Sequence, residues 1–286
     1  MVLRRWAYTT TVATLLILLG LILSPLAVSA GTNEGRLSLS AGSDFTTAYY
    51  FRGIKQENDG FIAQPYGNLT INLYKGDKGL NSVSTTLGIW NSFQSKQTGA
   101  TGDPKMWYES DLIGGFSVGF LDVFEFGTTF TYYTSPNGAF NDVQEFSLNL
   151  NFDDSKWLGP FALSPYVLVA FEKAGQADGG SNTGTYIELG VEPGFEPIKP
   201  LTVSFPLKLG LSGKDYYEDN SGHDKTFGYF DLGIAVSMPL AFIPKDFGEW
   251  AVSAAGHFLF LGDATKDFNS GNDTYQLAVF GLSLSY

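Results

Sequence analysis

Two histidines, no cysteine and 29 carboxylates against 17 Lys and Arg are what this sequence offers to chemistry. Without a thiol there is no disulfide, no cysteine nucleophile, no lipid attachment at cysteine and no thiolate metal site. Covalent catalysis would then need a serine whose proton passes to a histidine. His257 falls on the alternating segment Trp250 to Phe260, on the same side as Ser253, and His223 lies in a polar loop beside Asp224. Neither sits in a catalytic motif. The loop acids Asp215, Glu218, Asp219 and Asp224 lack the spacing of a calcium loop. The expectation is therefore a protein that is not an enzyme, with no metal and no cofactor. Its charged side chains act as a lining, and Asp44, Glu109, Asp111, Glu125, Glu145, Glu172, Glu188, Glu192 and Asp231 face Lys208 and Arg52 across a lumen that His257 also lines.

That lining exists only if strands present it. About twelve segments alternate apolar and polar residues with period two, separated by Gly, Asn, Asp and Pro clusters. They run 36–51, 61–74, 81–93, 106–120, 124–134, 143–152, 163–173, 184–192, 201–213, 226–238, 249–261 and 274–286. In the ninth, Leu201, Val203, Phe205, Leu207, Leu209 and Leu211 oppose Thr202, Ser204, Pro206, Lys208, Gly210 and Ser212. Most segments have the length of a tilted membrane-spanning strand. A charge at mid-depth on the lipid face costs roughly 2–4 kcal/mol, so the polar faces are assigned to an aqueous interior. Pro206 predicts a local bulge or break, since it removes a ladder hydrogen bond.

The connections alternate too. Lys75 to Gly79, Leu121 to Val123 and Glu192 to Pro197 are short, and Pro239 to Gly248 is longer and apolar; these read as turns at the periplasmic rim. Gln94 to Lys105, Gly175 to Thr183, Lys214 to Lys225 and Gly262 to Asp273 are polar and read as outward loops. Trp90, Trp107, Trp157 and Trp250 lie near strand ends, where interfacial girdles place aromatics.

The two ends carry address signals. Arg4 and Arg5 precede an apolar run from Val12 to Leu23, then Pro25 and the small residues Ser29 and Ala30, which reads as a Sec-type signal peptide cleaved after Ala30. Its removal takes two arginines and no acid, moving the net charge from −12 to −14. With no basic cluster, nucleic acid is not expected as a partner. Mean hydropathy is +0.00, as expected when half of each strand faces water. The last strand places Phe280, Leu282, Leu284 and Tyr286 on one face against Gly281, Ser283 and Ser285. This ending resembles the C-terminal signature by which outer-membrane barrels are recognised for insertion, where Phe is the commoner last residue. The barrel-assembly machinery and outer-membrane lipid are the partners this implies.

The stretch Ser43, Asp44, Tyr50, Phe51, Arg52, Gly53 and Gln56, followed by Pro65 to Thr70, resembles the start of the TorF-type outer-membrane porin family, with two extra residues between its acidic and aromatic parts. The resemblance covers under a tenth of the chain and implies a membrane barrel that passes solutes by diffusion. Gly53 would permit the turn out of the strand, and Arg52 could pair with lumen acids.

The expected architecture is all-β: residues 1–30 a signal peptide, and residues 31–286 a single closed antiparallel transmembrane barrel of about twelve strands in the outer membrane of a Gram-negative bacterium. The expected function is a porin-like channel for small hydrophilic solutes, favouring cations through its acidic lining. Two alternatives stay open. One is a non-conducting docking barrel that uses loops 94–105 and 214–225. The other is a lipid-acting enzyme using His257, although the His-x-Ser spacing of twelve-stranded outer-membrane phospholipases is absent. A homo-oligomer is allowed, with no segment marking its face.

Overall fold

The computed structural model describes residues 36–286; the signal-peptide expectation lies outside these residues. Sixteen strands follow one another: β1 (Leu37–Thr46), β2 (Tyr49–Phe51), β3 (Ile54–Glu57), β4 (Ile62–Lys78), β5 (Leu80–Gln94), β6 (Trp107–Phe120), β7 (Phe124–Thr134), β8 (Val143–Phe152), β9 (Tyr166–Ala174), β10 (Thr185–Val191), β11 (Gly194–Ile198), β12 (Leu201–Ser204), β13 (Leu207–Lys214), β14 (Phe227–Pro239), β15 (Glu249–Leu261) and β16 (Thr274–Ser285). Each of β4 to β9 pairs with the next, β1 pairs with both β4 and β16, and β14 pairs with β15, so the sheet closes on itself. Counting β10 with β11 and β12 with β13 as single staves, the ring has twelve antiparallel staves. Closure leaves no unpaired edge, the condition for crossing lipid with strands. Among the described residues no helix is long and apolar enough to cross a membrane, a test that does not bear on strands.

The period-two pattern decides which face is which. Leu39, Leu87, Ile89, Leu112, Phe116, Phe126, Phe130, Leu189, Leu232 and Ile234 all point outward and are exposed. An apolar belt of this extent on every side is solvated by hydrocarbon, not by water. Inside, the end bearing Leu37 and Tyr286 is lined by hydroxyls and amides that pair across strands: Asn68 with Ser40, Thr70 with Thr86 at 3.0 Å, and Ser84 with Ser117 at 2.8 Å.

Four sequence expectations are corrected. The first alternating segment does not run to residue 51: β1 stops at Thr46, whose hydroxyl donates to Ala48 O at 2.6 Å, and the chain turns into the barrel as the β2–β3 hairpin. The turn placed at 192–197 lies further on, because the stave resumes after Pro193 as β11 and reverses at 199–200. Gly79 alone turns β4 into β5, since β4 runs through the assigned 75–79 connection as far as Lys78. Trp90 belongs to no girdle; it points inward and packs on Tyr49, ring centres 5.5 Å apart. The expected break at Pro206 is present between β12 and β13, and there the Pro206 carbonyl still accepts from Gly233 N at 2.8 Å.

Candidate functional site

The hairpin that follows β1 organises the loop end of the barrel. Phe51 pairs with Ile54, and the two residues between them, Arg52 (φ 50°) and Gly53 (φ 80°), both take the left-handed conformation that a two-residue hairpin of this twist requires. Glycine is needed twice over, since a Cβ at position 53 would sit 2.9 Å from Tyr229 Cβ. Arg52 carries that conformation at some energetic cost, and its side chain shows what holds it there.

The guanidinium forks onto Glu145 of β8, with Nη1 to Oε2 at 2.5 Å and Nη2 to Oε1 at 2.8 Å, and Nη1 also donates to Tyr216 Oη at 2.8 Å. It lies 4.1 Å over the ring of Tyr186, a cation–π contact away from water. Tyr217 donates to Arg52 O at 2.9 Å, so main chain and side chain of one residue are both clamped. Around this point Ile54, Tyr186, Tyr216, Tyr217, Tyr229, Leu259, Leu261 and Ala264 form a buried core inside the barrel.

Connections expected to face outward supply part of that core. Tyr216 and Tyr217 belong to the 214–225 loop yet are essentially fully buried, and Ala264 and Thr265 are buried from the short helix Asp263–Phe268. Asp178, in the 175–183 loop, accepts Glu218 N at 2.9 Å; Glu218 in turn accepts Ser181 N at 2.6 Å and Asn182 Nδ2 at 2.9 Å. Backbone and amide donors hold the Glu218 carboxyl below its ordinary range, while burial pushes Asp178 up. These loops fold over the mouth because their aromatic and carboxylate side chains find partners there. Paired tyrosines in an otherwise polar loop were the sequence signal for this.

The acids named from sequence occupy distinct settings. Glu188 accepts three hydroxyls, from Tyr166 at 2.7 Å, Tyr186 at 2.5 Å and Tyr229 at 2.8 Å. Glu172 ties the ends of the 175–184 connection by accepting Ala177 N and Gly184 N, both at 2.6 Å. Asp231 meets His257 Nδ1 at 3.0 Å. Glu109 and Asp111, both on the inner face of β6, are buried with no basic partner among the described residues, and Asp111 Oδ1 has no hydrogen-bond partner. Asp44 faces inward opposite Gln64, and Glu125 and Glu192 lie toward the end bearing Leu37 and Tyr286, Glu125 exposed there.

Two hollows flank the hairpin. One, of about 60 Å³, is lined by Tyr49, Phe51, Gln56, Glu109, Tyr133 and Glu145. The other, of about 290 Å³, is lined by Arg52, Glu188, Lys208, Tyr229, Asp231 and His257 together with Tyr50, Gly53, Leu259 and Leu277. No hydrogen bond joins His257 to Ser253 among the described residues, so the pairing a serine hydrolase needs is not assembled. Among the described residues no group of three or more His, Asp or Glu could hold a metal ion.

No family model matches the chain, and no curated protein matches it. Similar solved structures include the translocator domain of the autotransporter NalP from Neisseria meningitidis (13% identity, TM-score 0.40, 97% of each chain). The NanC porin is 12% identical, with a TM-score of 0.41 over 87% of this chain and 98% of that one. The KdgM porin, in complex with disordered oligogalacturonate, is 8% identical, with a TM-score of 0.37 over 87% of this chain and 98% of that one. The barrel assignment stands on the strand pairing itself.

Proposed function

We propose that the protein is an outer-membrane channel through which small hydrophilic solutes diffuse along a polar lumen, narrowed at the loop end by the Arg52 hairpin. The observation that carries this is the closed ring of twelve staves with an apolar exterior and a hydroxyl- and amide-lined interior. Such a wall replaces the hydration of an uncharged or singly charged solute without holding it tightly. Export by the segment 1–30 and insertion through Phe280, Leu282, Leu284 and Tyr286 belong to this reading. Phe280 and Leu282 lie on the exposed outer face of β16, where a recognising partner would meet them. The inward acids outnumber Arg52, Lys208 and His257, which supports a net preference for cations.

A second reading has its own observation. The buried tyrosine core fills much of the loop end, as a non-conducting barrel used for docking would allow. Single-channel recording of refolded residues 31–286 across a KCl gradient separates the two. The channel reading expects stepwise conductance with a cation-favouring reversal potential. Anion-dominated current keeps the channel and removes the charge preference. A folded barrel that carries no current transfers the assignment to the second reading.

A further inference from the structure

The 290 Å³ hollow beside the hairpin differs from the rest of the lumen in which of its polar groups are already committed. Its acceptors are partly used: Glu188 takes three tyrosine hydroxyls, and Asp231 takes His257 Nδ1 with acceptor capacity left over. Both terminal nitrogens of Arg52 are engaged with Glu145 and Tyr216. The Lys208 ammonium is not committed. It makes no direct hydrogen bond or ion pair among the described residues, although Asp231 is its cross-strand neighbour and its charge reaches Glu188. His257, one stave beyond Asp231, has only Nδ1 engaged, which leaves Nε2 to meet a solute hydroxyl as acceptor in the neutral ring or as donor in the charged one.

We infer that this hollow is a solute-binding subsite for a small hydroxylated monocarboxylate, the carboxylate on Lys208 and a hydroxyl on His257. An ammonium with three unspent donors attracts a carboxylate through charge-assisted hydrogen bonds. A carboxylate wall of Glu188 and Asp231 beside it repels a dianion, so a doubly charged phosphate is the poorer fit. Leu259, Leu277 and the Tyr229 ring offer apolar contact to a carbon skeleton. The volume lies at the small end of ligand pockets, which suits one metabolite-sized unit and not a polymer. The subsite rests on the reading of this lumen as a solute path. It adds a local anion-holding step to a lumen whose remaining acids favour cations.

The test is calorimetric titration of the refolded full barrel in detergent with glucuronate, with glucose as the uncharged control. Saturable glucuronate binding at low salt is expected, with glucose weaker by about tenfold or more, as the loss of a charge-assisted contact implies. Lys208→Gln weakens glucuronate by a similar factor and leaves glucose unchanged, while Lys208→Arg largely restores it. Folding of each variant is read independently from the gel-mobility shift between heated and unheated barrel. No saturable heat with glucuronate, equal affinity for glucose, or full affinity in a folded Lys208→Gln variant overturns the subsite. Binding without conductance in the bilayer experiment removes the channel and leaves the subsite, and conductance without binding does the reverse.

Discussion

On one side of the Arg52 hairpin, Glu109 and Asp111 project from β6 and are buried behind Tyr49, beside only the small 60 Å³ hollow. On the other, five to seven staves around the ring, Lys208, Asp231 and His257 project from β13, β14 and β15 into an open hollow. Both sets are ionisable and inward, and the alternation of the sequence treats them alike. They differ in what stands in front of them. Tyr49 of the hairpin covers the β6 acids, its ring beside Trp90 and Tyr108, while Gly53 at the hairpin tip has no side chain to cover the far wall. Which lumen charges a passing solute meets is decided by the plug and not by the staves.

The sharpest way to break this comparison is to remove its divider. Arg52→Ala leaves Glu145 buried without its cation, a loss of about 3–5 kcal/mol for breaking such a pair. The barrel ladders do not depend on it, so the hairpin is expected to leave its seat while the barrel stays closed. Single-channel conductance should rise severalfold, with Glu145→Gln in the same chain recovering part of the plugged state. Unchanged conductance in Arg52→Ala would show that the hairpin does not narrow the path.

A smaller effect separates the two walls directly. Lys208→Glu should move the reversal potential in a KCl gradient further toward cations, by reversing a charge in the open hollow. Glu109→Gln should leave it within error, because Tyr49 keeps solute from that wall. A shift in both variants, or in neither, would dissolve the distinction between the open and the covered wall.

Gly53→Ala tests the hairpin tip. A residue with Cβ at φ 80° costs about 1–2 kcal/mol, and this one also crowds Tyr229. Partial loosening is expected, seen as flicker between low and high conductance and as faster exchange of hairpin amides. A variant with the parent's steady conductance would mean that the tip has room to relax.

The smallest effect lies in the loops above the plug. Asp219 accepts the backbone N–H groups of Ser221 at 2.8 Å and His223 at 3.0 Å, and Lys225 stands 3.2 Å away. Backbone donation from His223, then Ser221, holds its carboxyl down to about 2. A carboxylate depressed in the folded chain stabilises fully above its unfolded value, about 3.9, and this is lost as pH falls through the folded value. The Asp219 contribution to loop order should therefore be level above about pH 5 and be lost only toward pH 2. Amide chemical shifts of residues 219–225 followed by pH titration check this, and Asp219→Asn should flatten the low-pH change.

Much of the barrel was legible because its rule is local. Lipid on one side and water on the other force a two-residue period onto each stave, and that period survives in Leu201 to Ser212 and again in Phe227 to Pro239 without knowledge of any partner. Pro206 was legible for a similar reason, since a missing N–H breaks a ladder wherever it falls. From sequence the lining acids were expected to face inward, and their individual roles were not legible. Glu172 ties loop ends, Glu145 clamps Arg52 and Glu188 collects tyrosines, and each role depends on residues from elsewhere in the chain.

The sequence by itself determined an all-β chain of about twelve alternating staves with one apolar and one polar face, because that pattern follows from neighbours one or two residues apart. The tertiary structure alone decided that residues 49–57 fold inward, that Tyr216 and Tyr217 seal them, and that Lys208 stays unspent. Those outcomes turn on contacts such as Arg52 with Glu145 and with Tyr216, 93 and 164 residues apart. Such contacts form only once ring closure has brought distant staves and loops to the same depth, and no local period encodes them.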